Sequence, residues 1–231
     1  MISAKILVAG GNFPLEIIDL INPKLKSDIV ENEIGDIDGA TGCILQNKIV
    51  LCGGQDNEDN VSNQIKIIGL PNYDSKMTVP RMHARSIVLN KSQIWVTGGV
   101  DPNHVPDIAL NSTEIISLNE PPVLGPDLPF TAFCHSMILV NPTTIYLIGG
   151  LALDSQNGHK TLIIDPTNDF QIKEGQSLNF ARRGHSCSKM RIEGKLYLLV
   201  AGGMGHNDET IDSVELLDTS CTKQGWKMGM N

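Results

Sequence analysis

Apolar residues fall in short runs that end in two glycines, and the segments around those runs alternate apolar and polar positions with a period of two. The runs are Lys5-Ile-Leu-Val-Ala-Gly-Gly11, Lys48-Ile-Val-Leu-Cys-Gly-Gly54, Gln93-Ile-Trp-Val-Thr-Gly-Gly99, Thr144-Ile-Tyr-Leu-Ile-Gly-Gly150 and Lys195-Leu-Tyr-Leu-Leu-Val-Ala-Gly-Gly203. A polar loop and a second β-rich stretch follow each run: Leu15 to Leu20, Gln64 to Ile68, Thr113 to Leu118, Lys160 to Asp165 and Ser213 to Asp218. A leading stretch precedes four of them, at Gly42 to Leu45, Ser86 to Leu89, His135 to Val140 and Gly184 to Cys187. No 3.6-residue period lasts three turns, so these are predicted strands, and the first copy reads as two of them. A weaker fourth strand is expected around Tyr73 to Met77, near Val123 and at Trp226. The prolines near Val123 suit an outer edge strand that need not donate on both sides.

The glycine pairs recur at Gly10, Gly53, Gly98, Gly149 and Gly202, each with its following glycine, in steps of 43, 45, 51 and 53 residues. Four short strands per step cannot bury both faces of a sheet alone, whereas stacked copies bury one another. The reading is all-β: one β-propeller domain over residues 1–231, with about five four-stranded blades at approximately 1–35, 36–80, 81–128, 129–178 and 179–231. The first copy lacks its leading strand and the last stops at Asn231, so both are expected to be incomplete, and the chain reads as a fragment or isoform of a longer propeller protein.

Apolar run, Gly-Gly, variable loop, Val-Glu-Leu-Leu-Asp and then Trp226, best displayed between Leu196 and Trp226, resembles the kelch repeat. Gly125-Pro-Asp-Leu-Pro129 and Arg182-Arg-Gly-His-Ser186 are similar to that family's segment between fourth and first strands. Departures are the missing outer-strand Trp in the first four copies, and Gly42 where other copies carry Arg or His. The resemblance implies a partner peptide docked on the loop-rich rim, as in ubiquitin-ligase substrate adaptors or cytoskeletal scaffolds. It also leaves open an enzyme of the epimerase, lyase or oxidase type.

Direction reversal brings the loops after each Gly-Gly and the segments before each leading strand to one rim of the channel. The candidate partner-binding residues there are Arg81, His83, Arg85, Phe133, Arg182 and Arg183, with Asn12, Gln55 and Asp101 in the loops. Arginines near the axis suit bidentate capture of carboxylates in a partner peptide. The competing expectation is that they pair with neighbouring acidic loops. Histidines His135 and His185 occupy matching repeat positions and read as structural; His104, His159 and His206 read as solvated loop residues. Trp95, Tyr146 and Tyr197 share a second-strand position and read as core.

Composition narrows the function classes. With 41% hydrophobic and 19% charged residues the chain is globular, and no window reaches the length of a membrane span. A net charge of −8 opposes nucleic-acid or anionic-membrane binding. The five cysteines include no C-x-x-C pair, no phosphate-loop or catalytic-triad motif occurs, and neither metal nor cofactor is expected. The reading is therefore non-catalytic. The N-terminus begins within the first repeat, which predicts a cytoplasmic chain; the sequons at Asn60, Asn90 and Asn111 would instead carry glycans if an upstream segment directed secretion.

Overall fold

Every blade is a meander because its strands are short and closed by turn signals, so the chain reverses before a second layer can form. The structure, a computed structural model, describes residues 38–229 apart from 57, 71, 104–107 and 152–157. It also describes the backbone of three strands further upstream. Those three are β1 (Lys5–Val8), β2 (Leu15–Asp19) and β3 (Ser27–Val30), antiparallel in the order β1-β2-β3.

Four four-stranded antiparallel sheets follow. Blade I holds β4 (Thr41–Leu45), β5 (Lys48–Cys52), β6 (Gln64–Ile67) and β7 (Ser75–Lys76); blade II holds β8 (Arg85–Val88), β9 (Gln93–Thr97), β10 (Thr113–Ser117) and β11 (Glu120–Leu124). Blade III holds β12 (Ser136–Asn141), β13 (Thr144–Ile148), β14 (Thr161–Asp165) and β15 (Gln171–Glu174). Blade IV holds β16 (Ser186–Ile192), β17 (Lys195–Ala201), β18 (Val214–Asp218) and β19 (Lys227–Met228), with one 3-10 turn at Thr222–Gln224. The leading strands β4, β8, β12 and β16 each touch the next, so the blades radiate from a common axis as in a β-propeller.

Two sequence expectations change. The first repeat gives three strands instead of two, because Ser27–Val30 pairs with β2 despite its polar start. The last repeat is a full four-stranded sheet, because Lys227–Met228 after Trp226 pairs with β18. As expected, the first sheet shows no leading strand among the described residues, and β11, with Pro121 and Pro122, is an outer edge.

The core lies between blades. Ile94 and Val96 of β9 face blade I with Val50, Ile65 and Ile67, while Trp95 turns to blade III with Ile145, Leu147, Leu162 and Ile164. Tyr146 and Ile148 meet Leu198, Val200, Leu217 and Trp226 of blade IV. The period of two thus sends alternate residues of one strand into two different interfaces. Each fully buried large side chain contributes roughly 1.5–3 kcal/mol, which makes the interfaces the main source of stability.

Candidate functional site

The rim is built on the segments that pass from one blade to the next. Each segment begins with a buried apolar residue, Met77, Leu128 or Leu178, and ends four residues later at Arg81, Ala132 or Arg182. Its main chain is bound to the blade it leaves. Met77 N–H donates to Asn63 O (2.8 Å), Arg81 N–H to Ser62 O (3.1 Å), and Gly54 N–H to Arg81 O (2.9 Å). Leu128 and Ala132 repeat this with Asn111 O, Leu110 O and Gly99 N–H; Leu178 and Arg182 repeat it with His159 O, Gly158 O and Gly150 N–H.

The glycine pairs are what let these segments in. A Cβ on Gly98, at φ +58°, would sit 2.0 Å from Ala132 O, and one on Gly53, at φ +69°, 2.1 Å from Arg81 O. A side chain there would be strained by φ and would collide with the carbonyl the next glycine binds.

The side chain at the segment's end is bound to the blade it joins. Arg81 Nη1 donates to Gly98 O (2.7 Å) and Ser112 O (3.0 Å), and Nη2 to Glu114 Oε1 (3.1 Å). Glu114 also accepts from Thr78 N–H (2.6 Å) and Val79 N–H (3.0 Å). Arg182 repeats the pattern with Gly202 O (2.9 Å), Ser213 O (3.0 Å) and Glu215 Oε1 (2.8 Å), while Glu215 accepts from Asn179 N–H (2.7 Å) and Phe180 N–H (3.3 Å). Both ion pairs are fully buried, at 0% side-chain exposure on either partner. Arg81 and Arg182, expected on the rim, are therefore staples between blades and unavailable to a partner. Their acids come from the third strand, not from the exposed loops.

His135 and His185 stand just before or at the start of a leading strand, with their rings buried. His135 Nε2 lies 2.8 Å from Thr97 Oγ1 of the preceding blade; the residue of blade III matching Thr97 is Ile148, so the His185 ring has no hydroxyl opposite it and only main-chain groups of Arg182 and Ile148 nearby. Burial, with help from nearby Arg85, holds His135 at about 3; burial, then Arg182 and Arg85, holds His185 at about 4. Both rings are neutral at pH 7, which fits a structural role.

Nearer the axis a different set collects. His83 N–H donates to Gly39 O (2.7 Å), Cys134 N–H to His83 O (3.0 Å) and Gly184 N–H to Cys134 O (2.8 Å), an arc of main-chain bonds crossing three blade boundaries. All four residues have positive φ, including His83 (55°) and Cys134 (52°). This backbone strain is sustained because each boundary fixes it from both sides. Burial lowers the His83 pKa, which Asp38 opposes and Arg85 and Arg183 reinforce; burial raises the Cys134 thiol against the same two arginines.

Arg85 is half-buried, and its guanidinium donates to Ala84 O (3.2 Å) without meeting a carboxylate among the described residues. Arg183 is paired with Asp208. Phe133 is half-buried and bridges to Leu151. Gln55 lies in the same rim, bridged to Asp38 and Val61, its amide on Asp59. Asp101 is buried and accepts from Asn103 N–H (3.0 Å), so it caps its own loop and does not face solvent. Asn12 and His104 lie outside the described residues. Of the sequons, Asn60 and Asn90 are exposed, whereas Asn111 is half-buried with its amide nitrogen on Leu128 O (3.4 Å).

Sequence reasoning missed Glu114 and Glu215. A signal existed: Arg81 and Glu114, and Arg182 and Glu215, are both 33 residues apart, and the repeat that has Ala132 in place of arginine has Leu162 in place of glutamate. Among the described residues no cluster of His, Cys, Asp or Glu could hold a metal ion, and no helix is long and apolar enough to cross a membrane. The chain matches no protein-family model and no curated protein.

Proposed function

We propose that the chain is a non-catalytic binding module of kelch type whose axial rim captures an acidic peptide, with Arg85 as the principal anchor. The observation carrying this reading is the half-buried Arg85 guanidinium, which meets no carboxylate among the described residues while every other arginine at a blade boundary is paired. A planar guanidinium short of solvent and of an anion favours a bidentate carboxylate. Arg183 adds a second positive charge, its partner Asp208 being largely exposed and displaceable. Phe133 and His83 are half-buried on the same rim. The blades then serve as a scaffold, and the role is that of an adaptor or scaffold toward a protein partner, without cofactor, nucleic acid or membrane.

The test presents an array of peptides containing paired glutamates, alongside matched glutamine peptides, to the wild-type chain and to Arg85→Gln. Selective retention of the glutamate set, lost in Arg85→Gln, is expected. Equal retention of both sets, or retention unaffected by Arg85→Gln, contradicts the reading.

A further inference from the structure

Two cations at the axial rim break the repeat. The leading strands open with Thr41, Ser136 and Ser186 in blades I, III and IV, but with Arg85 in blade II, each in register with the last residue of the second strand. Three residues earlier, the bridged residue is Asp38, Met82 or Phe133 in blades I to III, but Arg183 in blade IV. Arg81 and Arg182 recur and close blade boundaries, whereas Arg85 and Arg183 each occupy a position that other blades fill without a cation. Blade packing does not require them.

The main-chain arc brings the two together. Arg85 lies two residues after His83, Arg183 lies one before Gly184, and Cys134 joins the two segments by accepting a place between His83 O (3.0 Å) and Gly184 N–H (2.8 Å). Paired segments lie about 5 Å apart, so the two arginines start about 10 Å from one another on either side of Cys134, within reach of one spot. Both guanidiniums bear on the Cys134 thiol and on the His83 ring, whereas Asp38 bears on His83 from the far side. The spot already draws an anion from the chain itself. Asp208, at φ +62° in the loop of blade IV, places its carboxylate on Arg183, and that carboxylate is 70% exposed. It can leave Arg183 without uncovering any core.

We propose that the axial end of blade III is a phosphoryl-binding site, in which Arg85 and Arg183 together hold a phosphorylated serine or threonine of a partner polypeptide. The inference rests on the axial rim being the binding face and names its ligand. A carboxylate has two oxygens and is filled by one guanidinium fork, whereas a phosphoryl group offers three acceptor oxygens and a charge near −2, which two forks converging on one spot can share. The chain's net charge of −8 points the same way, because a run of glutamates is repelled along its whole length while a phosphoryl group concentrates its charge at the two cations. Met82 and Phe133, half-buried on the same rim, supply apolar surface for the residues flanking the phosphoryl group, which a free phosphate could not use.

The probes are three peptide libraries with randomised flanks and a central phosphoserine, glutamate or serine, presented to the immobilised full chain, with inorganic phosphate as a competitor. Phosphoserine peptides should be retained about tenfold or more over glutamate peptides, and serine peptides not at all. Arg85→Gln and Arg183→Gln should each abolish that preference, with unchanged melting temperatures confirming the fold. Asp208→Asn removes the competing carboxylate and should tighten phosphoserine binding several-fold, a gain that misfolding cannot produce. Glutamate peptides retained through Arg85 as strongly as phosphoserine peptides would overturn the phosphoryl site while leaving the acidic-peptide reading standing; retention of no library would overturn both. A phosphoserine preference that survives Arg183→Gln, or no gain from Asp208→Asn, overturns the shared spot. Inorganic phosphate that binds as tightly as the peptides would make a free phosphate the ligand and overturn the partner polypeptide.

Discussion

Blades II and IV join their predecessors through a buried arginine and glutamate, whereas blade III makes the same junction with Ala132 and Leu162. The exchange is coordinated beyond those two residues. Glu114 and Glu215 each accept from two consecutive main-chain N–H groups, and the first of these, on Thr78 or Asn179, corresponds in blade III to Pro129. Proline has no N–H, so the loss of the carboxylate leaves one less donor unsatisfied. A boundary can therefore be closed by a fully bonded ion pair or by an apolar pair with fewer groups to satisfy. A mixture of the two strands a buried charge, and the desolvation of that charge decides the outcome.

The largest effect should come from making that mixture. Glu215→Leu leaves Arg182 buried without its carboxylate and removes the acceptor for Asn179 N–H and Phe180 N–H, so a loss of about 3–5 kcal/mol in denaturant unfolding is expected. A loss below about 1 kcal/mol would mean that the arginine finds water and that the staple is dispensable.

Glycine substitutions compare a recess filled by the next segment with one that no described residue fills. Gly98→Ala should cost about 3 kcal/mol or more, combining positive φ with the 2.0 Å approach to Ala132 O. Gly202→Ala meets only the φ penalty, about 1–2 kcal/mol. Equal melting-temperature shifts would remove the distinction between the boundaries.

Acid should expose the two histidines. Their folded pKa values, about 3 for His135 and about 4 for His185, lie below the unfolded value near 6.5. The unfolded chain therefore binds more protons in between, and stability present above pH 6.5 is lost as pH falls toward 4, by up to about 1.4 kcal/mol per pH unit for each histidine. His135→Gln should flatten the melting temperature between pH 6.5 and 4; an unchanged slope would assign acid sensitivity elsewhere. The smallest effect concerns partner supply. Ile148→Thr offers His185 the hydroxyl that Thr97 gives His135, and the hydrogen bond, worth about 1 kcal/mol, should offset most of the lost methyl packing. A loss above about 2 kcal/mol would show that the ring is already satisfied.

The strand order and blade spacing were legible because glycine pairs and period-two runs are local signals. Trp95 and Tyr146 were correctly read as core from their shared repeat position, although Tyr197, with no following blade over it among the described residues, is half-buried. The rim was less legible. Arg81, Arg85, Arg182 and Arg183 look alike in sequence, and only the direction of each side chain separates two staples from two rim cations. That direction follows from register: Arg81 and Arg182 precede the glycine or histidine at the axis by two residues, while Arg85 follows His83 by two and Arg183 stands beside its loop. Gly42 corresponds to Ser86, not to the Arg or His of other copies, because Asp38 pairs with Gln55 as Met82 does with Val100.

The most direct test of the stapled boundary is a double-mutant cycle on Arg182→Ala and Glu215→Leu, measured by denaturant unfolding. The account predicts that the double variant is more stable than Glu215→Leu alone by about 2 kcal/mol or more, and that adding Asn179→Pro, which copies blade III, brings it closer still to wild type. Additive losses, with the double variant as unstable as the sum of the two singles, would contradict the claim that these two residues act as one buried unit.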